Sequence, residues 1–182
     1  LIIVLAVFNG FSGLVHQLLQ DFDPHLEVRT PTAEAFQQAG EKIQTFQPIA
    51  LSEFTSGQAM LLRDGQKRAA SLVGLNPESG LEVYGLKEFL RLGEAGLRPV
   101  DGLPSAVIGI SLADAMQSIV GDTIALLTPS AVKNSLLNFS APAMQLMVIR
   151  GIYKSNNNEF DATYVFTDET TARMMFRQEL PS

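Results

Sequence analysis

The 182-residue chain has no cysteine, no tryptophan and only two histidines. The missing cysteines exclude disulfides and thiolate metal sites. They fit an oxidising compartment without identifying one. His16 and His25 form no HxxxH or HExxH pattern, so packing or surface roles are expected of both rather than catalysis or metal binding. Thirteen Lys and Arg stand against 19 Asp and Glu, for a net charge of −6. The basic residues form no cluster, and a surface that neutralises phosphates needs one, so nucleic acid is not an expected partner. Phosphate cradles of the GxxxxGK(S/T) or GxGxxG type are also absent, as is the GxSxG elbow of a serine hydrolase. No catalytic, cofactor-binding or metal-ligating residue is therefore assigned, no cofactor is expected, and no enzyme is read from these residues.

What is present is apolar. Hydrophobic residues make up 46% of the chain and charged ones 18%, values of a folded protein with a sizeable core. The stretch Leu1 to Phe8 is uninterruptedly hydrophobic. It is too short to span a bilayer, which takes about 20 residues, and it lacks the basic start and cleavage site of a signal peptide. Two readings remain at this point, a core element or the outer end of a membrane helix. Phe8, Phe11, Leu14, Val15, Leu18, Leu19 and Phe22 then recur at helical spacing. Asp23-Pro24 stops that helix.

Further along, His25 to Arg29 alternates as a short strand, and Thr32 is placed to cap a helix whose apolar face is Ala35, Phe36, Ala39, Ile43 and Phe46. Strands are expected over 49–54, 58–63 and 68–73, the last two joined at Asp64-Gly65, a strong hairpin turn. The Gly74-Leu75-Asn76-Pro77 break is the expected lobe boundary. Beyond it come a helix over 86–92, a Gly/Pro-rich loop to Pro104 and a strand over 106–110. Ser111 with Asp114 three residues on reads as a capping-box variant that starts a helix running to Ile119. A Gly121-Asp122 turn leads into a strand over 123–127, closed by Pro129. A long strand over 144–153 carries Gly151 as a bulge or close approach. Asn156 to Glu159 reads as a polar hairpin turn, 163–166 as a strand, and Asp168 as the cap of a last helix through Arg177. Irregular alternation with hairpins makes the fold class α+β. The six methionines fall at core spacing, with an adaptable binding surface as the second reading.

One segment is more specific than these patterns. AVIGISLADAMQSIVGDTIALLTP at Ala106 to Pro129 resembles the "IG..LA..L....GD.I.L..P" stretch of FtsX-like permeases of the MacB and LolC/LolE type. Three more segments match in order. VFNGF at Val7 to Phe11 is similar to the end of the first membrane helix in lipoprotein-releasing permeases. LVGLNPE at Leu72 to Glu78 is similar to "v.GIDPe", and VIRGIYKSNNNEFDATYVFTD at Val148 to Asp168 to "V.GIf.....eyD...vfv".

The resemblance implies the extracytoplasmic domain of an ABC transporter permease. It implies mixed small sheets with helices: residues 1–22 as the end of a membrane helix and a stalk, 23–76 as the first half of a porter-like subdomain, and 77–182 as an inserted sabre-like subdomain. It implies an inner-membrane protein with this domain in the periplasm, coupling a separate cytoplasmic ATPase to release of lipoproteins toward the outer membrane. The implied partners are that ATPase, a second permease subunit, the lipoprotein client and a periplasmic lipoprotein chaperone. In the LolC branch a proline-flanked hook after the "GIDP" segment grips the chaperone, and Ser79 to Tyr84 lacks that proline pair. LolC-like, LolE-like and fused permeases all stay open, as do a MacB-like efflux permease, a division-type permease regulating a cell-wall hydrolase and, more remotely, a soluble periplasmic binding protein. The candidate partner contacts are Phe8 and Phe11 on the stalk, and Glu82, Val83 and Tyr84 in an exposed loop.

Overall fold

A computed structural model describes residue 28 and residues 33–46 and 51–176. The stalk, the strand over 25–29, both histidines, the Thr32 cap, and Phe8 and Phe11 lie outside the described residues. Helix α1 (Ala33–Gln44) forms where the apolar spacing predicts it, yet its Phe36 is exposed. Strands β1 (Phe54–Arg63) and β2 (Gln66–Leu75) pair in unbroken antiparallel register from Phe54↔Leu75 to Arg63↔Gln66. Asp64 at φ 46° and Gly65 at φ 84° make the turn between them. Positive φ at both central residues is what a two-residue turn needs to match strand twist. The separate strand expected over 49–54 is not found: Leu51 to Glu53 is irregular and Phe54 opens β1.

Short helices α2 (Ser79–Val83) and α3 (Leu86–Phe89) lead into β3 (Leu90–Gly93). One helix over 86–92 is thereby corrected, because the chain turns extended at Leu90 (φ −60°, ψ 132°). Strand β4 (Ser105–Gly109) runs directly into α4 (Ile110–Ala115). The helix cap is Gly109, not Ser111, and it makes no side-chain capping bond. A Cβ at Gly109 would collide with the backbone carbonyl of Asp161. That close approach places the bend two residues earlier than the Ser-x-x-Asp pattern implies. Gln117, at φ 49°, ends the turn well before Ile119.

Strand β5 (Thr123–Leu127), helix α5 (Pro129–Asn138) and strand β6 (Gln145–Tyr153) follow. Helix α6 (Asn158–Thr163), strand β7 (Tyr164–Asp168) and helix α7 (Glu169–Phe176) complete the described chain. The polar stretch Asn156 to Glu159 is not a hairpin turn. Asn157 caps α6, its Oδ1 accepting from the amides of Glu159 at 2.9 Å and Phe160 at 3.3 Å. Strands β6 and β7 are not neighbours; β4 lies between them.

The sheet order is β3-β6-β4-β7-β2-β1-β5, and β5 also pairs with β6. Val148 pairs with Ser105 of β4 and with Thr123 of β5, one on each side. Six strands thus close into a ring, with β3 sharing the edge of β6 beyond β5. Strands from before and after residue 76 share the ring. Closure leaves few unpaired edges to aggregate. The register of β6 against β4 shifts between Ala106 and Val107, their partners being Ile149 and Gly151. An added Cβ at Gly151 would stand 2.5 Å from the carbonyl of Glu94, so the expected bulge and close approach coincide.

Alternating strand residues feed two cores. Leu61, Leu72, Ile108, Leu126, Ile149 and Val165 meet Leu112 and Met116 of the α4 segment and Ala172 and Phe176 of α7. Val73, Val107 and Phe166 face the other way, onto Leu81, Tyr84, Leu86 and Phe160. Period-two alternation with a helical cover on each side gives the α+β class expected from the sequence.

Candidate functional site

Of the sequence-assigned contacts, Glu82, Val83 and Tyr84 lie among the described residues, at the end of α2. Glu82 is exposed on α2, Val83 packs partly against the second core, and Tyr84 is 7% exposed. The Tyr84 ring stands edge-on to Phe166 at 5.3 Å. Segment 82–84 is thus the end of a docked helix, with only its outer side open to solvent.

Polar groups in the interior are engaged structurally. Asp161 is fully buried, and its Oδ1 accepts from the amide of Ser155 at 2.8 Å and from its hydroxyl at 2.7 Å. The Tyr153 hydroxyl donates toward the carbonyls of Phe160 and Tyr164, at 3.2 and 3.3 Å. Burial, and secondarily the Asp161 charge, push the Tyr153 phenol far above its ordinary range, so it stays a protonated donor. Arg63 reaches the carbonyls of Met116 and Gln117 and pairs with Asp122 at 2.8 Å, pinning the 116–122 turn. Among the described residues no three His, Cys, Asp or Glu side chains group to hold a metal.

The surface offers a different feature. Helix α5 starts where Thr128 Oγ1 accepts from the Ala131 amide at 3.3 Å, with Pro129 at the first position. A proline there gives up an amide that has no helical partner in any case. The side it turns to the protein carries Ala131 and Ser135, while Leu136 and Leu137 are 71% and 67% exposed. Phe139, at the left-handed C-cap (φ 50°), is 99% exposed. Its amphipathicity is inverted, because a surface helix normally turns its apolar stripe inward. A depression of about 150 Å³ adjoins it, lined by Leu126, Ala131, Met144, Met174 and Met175. Met116 and Met147 fill the core, whereas Met60, Met144 and Met174 are exposed. The core reading therefore holds for Met116 and Met147. No Asp or Glu occurs between Asp122 and Glu159, so the stretch of sequence that holds α5 carries only positive charge in this acidic chain.

Sequence reasoning missed α5. The signal was present in Thr128-Pro129 and in the spacing Val132, Leu136, Phe139, but Pro129 also reads as a strand stop.

No family model matches the chain. It is 26% identical over 186 residues to the lipoprotein-releasing system transmembrane protein LolC of Neisseria meningitidis serogroup B, covering 97% of this chain and 43% of that protein. The chain thus spans less than half the length of this curated relative. Among solved structures, the extracellular domain of the noncanonic ABC-type transporter YknZ from Gram-positive bacteria aligns with a TM-score of 0.49 and 11% identity, over 75% of this chain and 65% of that one. Homology over nearly the whole chain supports an extracytoplasmic domain of a LolC/FtsX-like permease, as the four sequence segments implied. Among the described residues no helix is long and apolar enough to cross a membrane.

Proposed function

We propose that the chain is the periplasmic domain of an inner-membrane permease that uses ATP hydrolysis by a separate cytoplasmic subunit to release lipoproteins toward the outer membrane. The observation that carries this reading is the match over 97% of the chain to a lipoprotein-releasing transmembrane protein. The outward face of α5 supports it. Contiguous exposed apolar surface of this kind marks an interaction site, and methionines around a depression suit varied apolar partners.

Within this reading the α5 face and the depression beside it take the principal contact with client or chaperone. Glu82 and Val83 add a secondary one on the outer side of α2, with Tyr84 holding that helix to the core. Phe8 and Phe11 belong to the stalk that passes the displacement outward, and a second permease subunit completes the transporter. The test is reconstitution of the full permease with its ATPase in lipid vesicles loaded with a lipoprotein. ATP-dependent appearance of the lipoprotein on a soluble acceptor is expected. ATP hydrolysis that expels peptides or antibiotics, or activates a cell-wall hydrolase, while lipoprotein stays in the vesicle, overturns it.

A further inference from the structure

With no cysteine, no tryptophan and six methionines, the chain has the thioether as its most readily oxidised group. The fold sorts these methionines by exposure. Met116 and Met147 are buried in the first core. Met144 and Met174 are each 56% exposed, and with Met175 they line the depression beside α5. Met144 lies on the lead into β6, and Met174 and Met175 on the last turn of α7. Met175 packs partly against the first core. The sixth, Met60, is 42% exposed but stands elsewhere. It pairs with Leu127, while its neighbour Leu61 pairs with Leu126. Leu61 and Leu126 face the first core, so Met60 points from the opposite face of the sheet.

The depression thus gathers three thioethers from two elements distant in sequence, with Leu126 and Ala131 completing its apolar wall. A thioether is flexible, polarisable and apolar, which suits adaptable contact. Its sulfoxide puts a strongly polar S–O bond at the same position. Covering that oxygen with an apolar partner, without a hydrogen bond, carries the penalty of any buried unpaired polar group. The polar side chains on the wall, Thr128 and Gln145, are already engaged. Thr128 Oγ1 accepts from the Ala131 amide, and Gln145 Nε2 donates to the Leu146 carbonyl at 2.9 Å.

We propose that Met144, Met174 and Met175 form a reversible oxidation site that turns off the contact surface beside α5 when their thioethers become sulfoxides. This rests on the contact role given to that surface above. The oxidant is a hypohalous acid. In the net step the sulfur takes up the oxygen of hypochlorous acid and loses two electrons, and chloride and a proton leave. Reversal takes two electrons from a dithiol reductase and releases the oxygen as water. Exposure sets the order of reaction. Met144 and Met174 react first, Met175 follows as its sulfur opens to solvent, and Met116 and Met147 react only on unfolding.

The test treats the full permease with its ATPase, in lipid vesicles, with a small excess of hypochlorous acid. Peptide mapping by mass spectrometry is expected to find sulfoxide at Met144 and Met174, and at the exposed control Met60, while Met116 and Met147 stay thioethers. ATP-driven release of lipoprotein is expected to fall roughly tenfold, the effect of losing one significant contact residue. It is expected to recover when sulfoxide reductases specific for each epimer are added. A variant with Met144→Leu, Met174→Leu and Met175→Leu nearly conserves volume. Whatever its starting rate, its release is expected to be unchanged by the oxidant, although Met60 is still oxidised. An equal proportional loss in that variant overturns the proposal, because the damage then lies elsewhere. So does sulfoxide at Met116 or Met147 as early as at Met144, undiminished release from the oxidised parent, or a loss that the reductases do not reverse. If the untreated complex hydrolyses ATP but frees no lipoprotein, the functional reading fails. Mapping and reductase repair then still decide whether these three methionines form a reversible oxidation site.

Discussion

Asp161 shows what a single side chain contributes to this fold. One carboxylate oxygen holds both the amide and the hydroxyl of Ser155, and the other has no hydrogen-bond partner among the described residues. Removing the acceptor leaves the buried Ser155 amide unpaired, at about 1–3 kcal/mol, while the Ser155 hydroxyl keeps the Asn157 carbonyl at 3.0 Å. Asp161→Ala is therefore expected to destabilise the chain by roughly 1–3 kcal/mol. Asp161→Asn keeps the oxygen that Ser155 uses, so it is expected to lose less than half as much. Urea unfolding of the two variants checks the order, and equal losses would deny Ser155 this role. Asp161 was legible only as a member of a polar run and a resemblance motif. Its inward direction depends on α6, whose cap Asn157 reads equally well as a turn residue. Tyr153 was legible as a strand residue, but its buried hydroxyl depends on carbonyls 7 and 11 residues away.

At the scale of elements, local chemistry was readable and its outcome less so. Asp64-Gly65 and Asp168 announce a hairpin and a cap through their own backbone preferences, and both form. Asp168→Ala is expected to cost about 1 kcal/mol, the usual loss of a cap, visible as faster amide exchange in α7 with the ring unaffected. Loss of exchange protection across the whole ring would instead make Asp168 a core residue. Ser111-x-x-Asp114 carries the same kind of signal and fails, because Gly109 must bend against Asp161, a contact 52 positions along the chain. Helix α5 is the converse case. Val132, Leu136 and Phe139 mark an apolar face at helical spacing, but spacing alone cannot say whether that face turns inward. Ala131 and Ser135 take the inner side. Because Leu136 and Phe139 touch solvent, Leu136→Ser with Phe139→Ser is expected to leave unfolding free energy within about 0.5 kcal/mol of the parent. A larger loss in thermal or urea unfolding would mean the face packs inward.

For the whole molecule, the irregular alternation of strands and helices with hairpins indicated the α+β class, and the structure has it. Ring closure was not readable, since β6 divides one edge between β5 and β3 and pairs with β4 along the other. Such partition depends on the twist and length of strands far apart in sequence. The family likeness was legible for a different reason. Gly109, Gly121 and Asp122 serve tight junctions in this ring, and junctions leave short, specific residue patterns where core strands leave only hydrophobicity. The exposed apolar face of α5 lay between two such patterns, in the stretch where neither reached.

The proposed role of the bare side of α5 is tested most directly by one comparison. In vesicles holding the full permease and its ATPase, lipoprotein release and ATP hydrolysis are measured side by side for the parent and for Leu136→Ser with Phe139→Ser. Hydrolysis is expected to persist while release falls about 30-fold, the equivalent of losing one aromatic anchor worth about 2 kcal/mol. Release at the parental rate from a variant with this surface made polar would contradict the account.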